Sequence, residues 1–307
     1  MVDSCSSTAR PVGLSRFDSC GRLACKCCSS PGSAASSDIF NPLSEGREQL
    51  ALSVQALDPG KDWGRLLSQL PAVGSGLVIS QNDAATLCSR RPYPSLYFAS
   101  HCRTKGSNSE AGVWVDGRGL GAARVLHFKR GAENFYRVEF VSAAGRVIHA
   151  FELTTQSDLQ KFRDWMRVHR SGAAHPHAPA RDVREIPNRK ETTGDTAAVI
   201  AVVKECARRA IAIRATVCAG PVTQRAVFTP RSLQPVDDWW FASDETAGLH
   251  LRGEAIARAR VSPELGEQYC AVPALYAESA GHAPALILEL GNAAHASEWN
   301  AIVHSLV

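Results

Sequence analysis

No run of about 18 apolar residues occurs in this chain, so no helix can be written that crosses a bilayer. Charge of one sign is also lacking as a block. The 34 basic and 30 acidic residues among 307 leave a formal net charge of +4 spread along the chain, which gives no concentrated footprint for nucleic acid. The opening MVDSCSSTARPVGLSRFDSC has no apolar centre of the kind a secretory signal needs, and the expected compartment is the cytoplasm. Catalytic signatures are missing as well: there is no GxSxG elbow, no phosphate-cradling GxxxxGK[ST] and no HExxH. The glycines of GRGLG at 117–121 follow no strand-to-helix pattern and read as a turn.

Cysteine is present without a disulfide framework. Cys5, Cys20, Cys25, Cys27 and Cys28 crowd the first 28 residues, and the other five of the ten are scattered singly. Thiolates at the spacing of CGRLACKCC suit zinc or copper(I), but a structural zinc site joins two separated ligand pairs. No second pair follows, so no metal centre is expected. Residues 1–45, rich in Ser, Gly, Pro and Cys, show no apolar period and read as a disordered tail.

What the chain does have is enough apolar residue, 45%, for two ordinary cores, and a phrase written twice. GVWVDGRGLGAARV at 112–125 returns as GLHLRGEAIARARV at 248–261, an offset of 136. The same offset carries Trp63, Leu66, Leu67 and Leu70 onto Val199, Val202, Val203 and Cys206, and Ala144-Gly145 onto Ala280-Gly281. Beyond that turn the offset is 137, placing Phe162, Trp165 and Met166 on Trp299, Ile302 and Val303. Two copies of one unit are the natural reading of such self-similarity.

Each copy reads as helix, several strands, helix. The i, i+3, i+4, i+7 spacing of Trp63, Leu66, Leu67 and Leu70 after Asp62 predicts a helix closed by Pro71. Strands are expected at SGLVIS, PSLYFAS, GVWVD and AARVLHFK, and Ser142 to Gly145 is expected to turn a hairpin. Ser157 is the expected N-cap of the helix carrying Leu159, Phe162, Trp165 and Met166. In the second half Asp195 is expected to cap a helix; strands follow at IAIRATVC, TQRAVFT, WWF, GLHLR, ARARVS, YCAVPALYAE and PALILEL, before Ser297 opens the last helix. The fold class is α+β: a tandem duplication of a unit made of a large antiparallel β-sheet flanked by helices. The units are 46–169 and 195–307, with 170–194 as linker.

The blocks KDWGRLLSQLPAVGSGLVISQNDAATL, YRVEFVSAAGRVIHAFELTTQSDLQKF, IAIRATVCAGPVTQRAVF and WWFASDETAGLHLRGEAIARARV occur in the order seen in the HemS/ChuX haem-utilisation family, and the chain resembles that family over about residues 55–306. The resemblance implies a cytoplasmic protein of iron acquisition that carries haem, delivers it to a haem oxygenase or haem-transport protein, or assists its breakdown. Since there is no CxxCH, the cofactor implied is haem b held noncovalently. It further implies that Arg124 is a donor on the distal side of the haem and that His127 is the nearest axial ligand. The plain alternative makes Arg124 a surface residue and His127 a packed one. His250, mid-strand in GLHLR, either lines a cleft or is a satisfied sheet histidine.

The chain also departs from the family pattern. Two-copy members insert a helical segment bearing the proximal His between the copies, whereas here only a short linker connects them. His175 and His177 lie in that linker, just after His169, and are candidate ligands. A family Lys before Pro is Ser262 before Pro263, and a basic pair after the last strand has become Gly291-Asn292-Ala293. Loss of such cations removes charge-assisted bonds of about 1.5–3 kcal/mol each. A second reading follows: a haem-free scaffold or interaction module that keeps the duplicated fold. His101, His149, His282, His295 and His304 show no mutual spacing that suggests a site.

Overall fold

The computed structural model describes residues 51–57, 63–94, 111–130, 133–170, 194–236, 238–252, 254–262, 272–280 and 284–306. The expected tail, the linker residues 171–193 and nearly all of PSLYFAS lie outside them. Elements are numbered in chain order. Four helices, α1 (Trp63–Ser68), α2 (Leu159–His169), α3 (Gly194–Arg209) and α4 (Ala296–Leu306), accompany two antiparallel sheets. In spatial order the larger sheet holds β1 (Ala51–Leu57), β5 (Leu120–Arg130), β6 (Glu133–Ser142), β7 (Val147–Ser157), β2 (Gly74–Gln81), β3 (Ala85–Pro92), β12 (Ala247–Arg252), β11 (Trp239–Ser243) and β10 (Leu233–Val236). The smaller holds β13 (Ile256–Ser262), β14 (Ala274–Ser279), β15 (Pro284–Leu290), β8 (Ile213–Ala219), β9 (Val222–Phe228) and β4 (Gly112–Val115).

Local chemistry explains most of these boundaries. Gly145, at φ 82°, turns β6 into β7 in a conformation that a side chain would strain. Two expected caps fall elsewhere. The cap of α2 is Asp158, whose carboxylate accepts the Lys161 amide at 3.0 Å. Ser157 instead donates to the Ser75 carbonyl at 2.6 Å, tying β7 to β2. Asp195 lies inside the first turn of α3 and accepts from the Ala259 amide at 3.2 Å, which pins the helix to β13. Pro71 does not simply end α1: it sits in a 3-10 turn, Leu70–Val73, that runs into β2.

The duplication is visible in the strand registers. Ala123↔Phe140 across β5 and β6 recurs as Ala259↔Ala277 across β13 and β14. Val138↔Phe151 recurs as Leu275↔Leu288, and Val78↔Phe151 as Ala215↔Leu288. Every residue in these pairs moves by 136 or 137 positions. The order β5-β6-β7-β2-β3 is therefore repeated as β13-β14-β15-β8-β9. The next strand breaks the chain order. β3 is flanked by β12 from the second half, and β9 by β4 from the first half. These strands carry the twice-written phrase, and their registers also match: Leu87↔Leu249 in one sheet, Gln224↔Val113 in the other. The halves have exchanged one equivalent strand.

Side chains alternate across a strand, so each sheet has a near face toward the helices and the other sheet, and a far face. On the near face Leu66, Leu67, Phe162 and Trp165 of α1 and α2 pack with Val78, Val138, Phe140 and Phe151. Val199, Val202, Val203 and Cys206 of α3, with Trp299, Ile302 and Val303 of α4, pack on the second sheet and reach Leu87, Leu249 and Leu251 of the first. Where the sheets meet, Asn82 spends its whole hydrogen-bonding capacity. Its amide donates to the carbonyls of Cys218 at 2.8 Å and Ala285 at 2.7 Å, and its oxygen accepts from the amides of Ala84 and Ala85. Removing that side chain strands two donors and two acceptors. Asn82→Ala is expected to cost about 2–4 kcal/mol, read as a lower urea midpoint with an unchanged m-value.

Candidate functional site

Arg124, the distal donor that the family resemblance implies, stands on the far face of the larger sheet, whose geometry follows from register. Arg124 on β5 stands opposite Glu139 on β6, and Arg137 on β6 stands opposite Glu152 on β7. Arg124 donates from Nε to Glu139 Oε2 at 2.8 Å and brings a second guanidinium nitrogen to the same oxygen at 2.8 Å. Arg137 donates to Glu152 at 2.9 Å through Nε, approaches Glu139 at 3.9 Å, and lies over the Phe128 ring. Four charges thus run across three strands with both signs balanced. Beside them lies a small apolar floor, Leu77, Ile79, Cys88 and Ala150, a cluster that contains no helix residue.

The candidate residues are not gathered into one place. Arg124 points to the far face with its side chain 24% exposed, held by Glu139. His127, three positions on, faces the opposite side of the sheet, where it stacks on Tyr136 at 4.7 Å and bonds Asn134 at 3.1 Å. His250 is on the far face like Arg124 but in β12, five strands away, or about 24 Å at ordinary strand spacing. It is 1% exposed, lies between Thr86 and Phe241 in register, and sits 4.5 Å from the Phe241 ring. Arg124 and His250 therefore cannot serve one iron. His175 and His177 lie outside the described residues. His169 closes α2, buried, and bonds Gln69 at 2.8 Å; burial first and the Arg65 charge second hold its pKa down.

Sequence spacing gave no sign of one interior group. His149 on β7 is buried with Ser80 Oγ 2.7 Å from Nδ1 and Tyr93 Oη 2.9 Å from Nε2. Both ring nitrogens are engaged, as a neutral imidazole allows. Desolvation lowers its pKa to about 3 and pushes the Tyr93 phenol up. The three residues are 69 and 56 positions apart in sequence; only the β2-β7 pairing and the end of β3 join them. Of the cysteines, Cys88 and Cys206 are buried, and burial raises the Cys206 thiol to about 12. Among the described residues no group of His, Cys, Asp and Glu could hold a metal ion, and no helix is long and apolar enough to cross a membrane.

No family model matches the sequence, and no curated protein does. Solved structures do match in fold. The apo form of PhuS, a heme-binding protein from Pseudomonas aeruginosa, superimposes with a TM-score of 0.64 at 14% identity, over 84% of this chain and 88% of that one. ChuS, a heme oxygenase of E. coli, superimposes with a TM-score of 0.61 at 12% identity, over 84% of this chain and 90% of that one. The chain has the two-copy HemS/ChuX-like fold.

The buried imidazole sets a pH dependence. Above pH 6.5 it is neutral folded or unfolded and contributes no slope. Below that, the unfolded chain takes up a proton that the folded ring refuses until about pH 3. Stability should therefore fall by about 1.4 kcal/mol per pH unit through this window on account of His149. Urea midpoints of the native chain and His149→Gln, compared from pH 7 to pH 4, should converge as the pH drops.

Proposed function

We propose that this chain binds haem noncovalently in the cytoplasm and either carries it to a partner such as a haem oxygenase or assists its breakdown. The observation that supports this most is the likeness in fold, over 84% of the chain, to a heme-binding protein and to a heme oxygenase. Bound haem would bring a Lewis-acidic, redox-active iron; the chain must supply an apolar bed, cations for the propionates and an axial ligand. The far face of the larger sheet offers the bed in Leu77, Ile79, Cys88 and Ala150 and cations in Arg124 and Arg137. Each cation is held by a glutamate, so Arg124 acts on a ligand only after Glu139 lets it go. No described histidine stands on that face near Arg124, and this reading takes the linker histidines His175 and His177 as the candidate axial ligands. His127 and His250 would then serve packing.

One observation favours the second reading, a haem-free scaffold or interaction module. The Arg124-Glu139-Arg137-Glu152 ladder satisfies its own charges, and a satisfied ladder needs no propionate. Titration of the purified chain with hemin separates the two. Haem binding predicts a saturable Soret shift at one equivalent, lost in the His175→Ala, His177→Ala double variant and strengthened in Glu139→Gln, which frees Arg124. An unshifted hemin spectrum removes the haem reading, and a Soret band untouched by the double variant removes the ligand assignment.

A further inference from the structure

At the junction of the two sheets, on the face opposite Arg124, three polar groups meet, and one of them, Gln224, has a buried acceptor without a donor among the described residues. Arg91 on β3 is half-buried. Its guanidinium reaches, among the described residues, only neutral acceptors, Ser89 Oγ at 3.2 Å and the Arg225 carbonyl at 3.4 Å. Among the described residues no carboxylate lies within ion-pair distance of it, and burial lowers its pKa with no opposing charge. Gln224 on β9 is 1% exposed and reaches over from the other sheet. Its amide nitrogen donates to the Val78 carbonyl at 3.2 Å and to Ser89 Oγ at 3.2 Å. Those two acceptors fix which way the amide points, and its buried Oε1 has no donor among the described residues. Ser89 Oγ accepts from both Arg91 and Gln224, which leaves its own proton to be donated.

The pseudo-symmetry supplies a control. Moved by 137 positions, the offset of the β3 and β9 registers, Ser89 and Arg91 fall on Ala226 and Phe228, and Gln224 corresponds to Leu87. All three counterparts are buried together in the apolar core. Packing at this junction is thus served by hydrocarbon on one side and by a guanidinium, a hydroxyl and an amide on the other. A half-buried charge with no counter-charge and an unmet buried acceptor each cost stability unless something satisfies them.

The geometry points to a binding site for a small oxyanion that keeps one proton, hydrogen phosphate or bicarbonate, held by Arg91, Ser89 and Gln224 between the two sheets. The anionic oxygens accept from the Arg91 guanidinium and the Ser89 hydroxyl. The remaining O–H donates to Gln224 Oε1, which an unprotonated anion cannot do. Because the site takes one strand from each sheet, its occupant also clamps the sheets together. It is independent of haem, since Ser89 and Arg91 face away from the Arg124 side.

Thermal unfolding of the full chain in an amine buffer, with phosphate, bicarbonate or nitrate added at matched ionic strength, tests this. At a hundredfold excess over the dissociation constant the melting temperature should rise by roughly 5–10 °C with phosphate or bicarbonate and by less with nitrate. Arg91→Gln should abolish the rise while leaving the anion-free melting temperature equal or higher, because it removes a half-buried charge that has no counter-charge. Gln224→Leu, which restores the sister half's pattern, should erase the preference over nitrate. The same rise with nitrate, no rise at all, or a rise that survives Arg91→Gln would overturn the site.

Discussion

A strand that belongs by sequence to one half completes the sheet of the other, and the molecule is organised around that exchange. β12 lies on β3 and β4 lies on β9, in matching register. Each half therefore lacks an edge until the other supplies it, and an unmet row of backbone donors and acceptors in a sheet is costly. The larger sheet receives more than one strand, since β11 and β10 follow β12 onto it. Among the described residues the two sheets hold nine and six strands, and the first-half positions equivalent to β10 and β11 lie outside the described residues. Asn82 adds a polar lock across the same junction.

The exchange also governs where chemistry can stand. Arg124 and its counterpart Arg260 occupy equivalent places, and each finds a glutamate, Glu139 at 2.8 Å and Glu278 at 3.3 Å. His250 and its counterpart Trp114 sit on the strands that change sheets. Arg225 lies over the Trp114 indole, whereas His250 packs against Phe241. The copies keep one backbone and have diverged in side chains, which is how one fold comes to present different surfaces on its two halves.

Much of the backbone could be read before the structure. The doubled phrase at 112–125 and 248–261, the helical stripes of α1 to α4 and the hairpin at Gly145 all rest on local periodicity or local turn chemistry. What failed was local in a different way. β3 has Ser89, Arg90 and Arg91 within eight residues, so its alternation is masked by polar side chains that serve the sheet junction. β10 is four residues with a proline, short enough to pass for a loop. β1 stands ahead of the first helix, where no repeat partner announces it. Ser157 and Asp158 are both good caps, and the choice between them is made by the Ser75 carbonyl, a tertiary partner. The candidate site was legible only as a set of residue types. Arg124 and His127 lie three apart, and in a strand that odd spacing sends them to opposite faces; the pairing of Ser80, His149 and Tyr93 needs strand order, which no single segment contains.

The interlock itself can be measured directly by cutting the chain within residues 171–193 and purifying the two pieces separately. With the strands interlocked, neither piece alone should unfold cooperatively, and mixing them should restore one complex with a single unfolding transition. Two pieces that each fold and melt cooperatively on their own, with no gain on mixing, would contradict it.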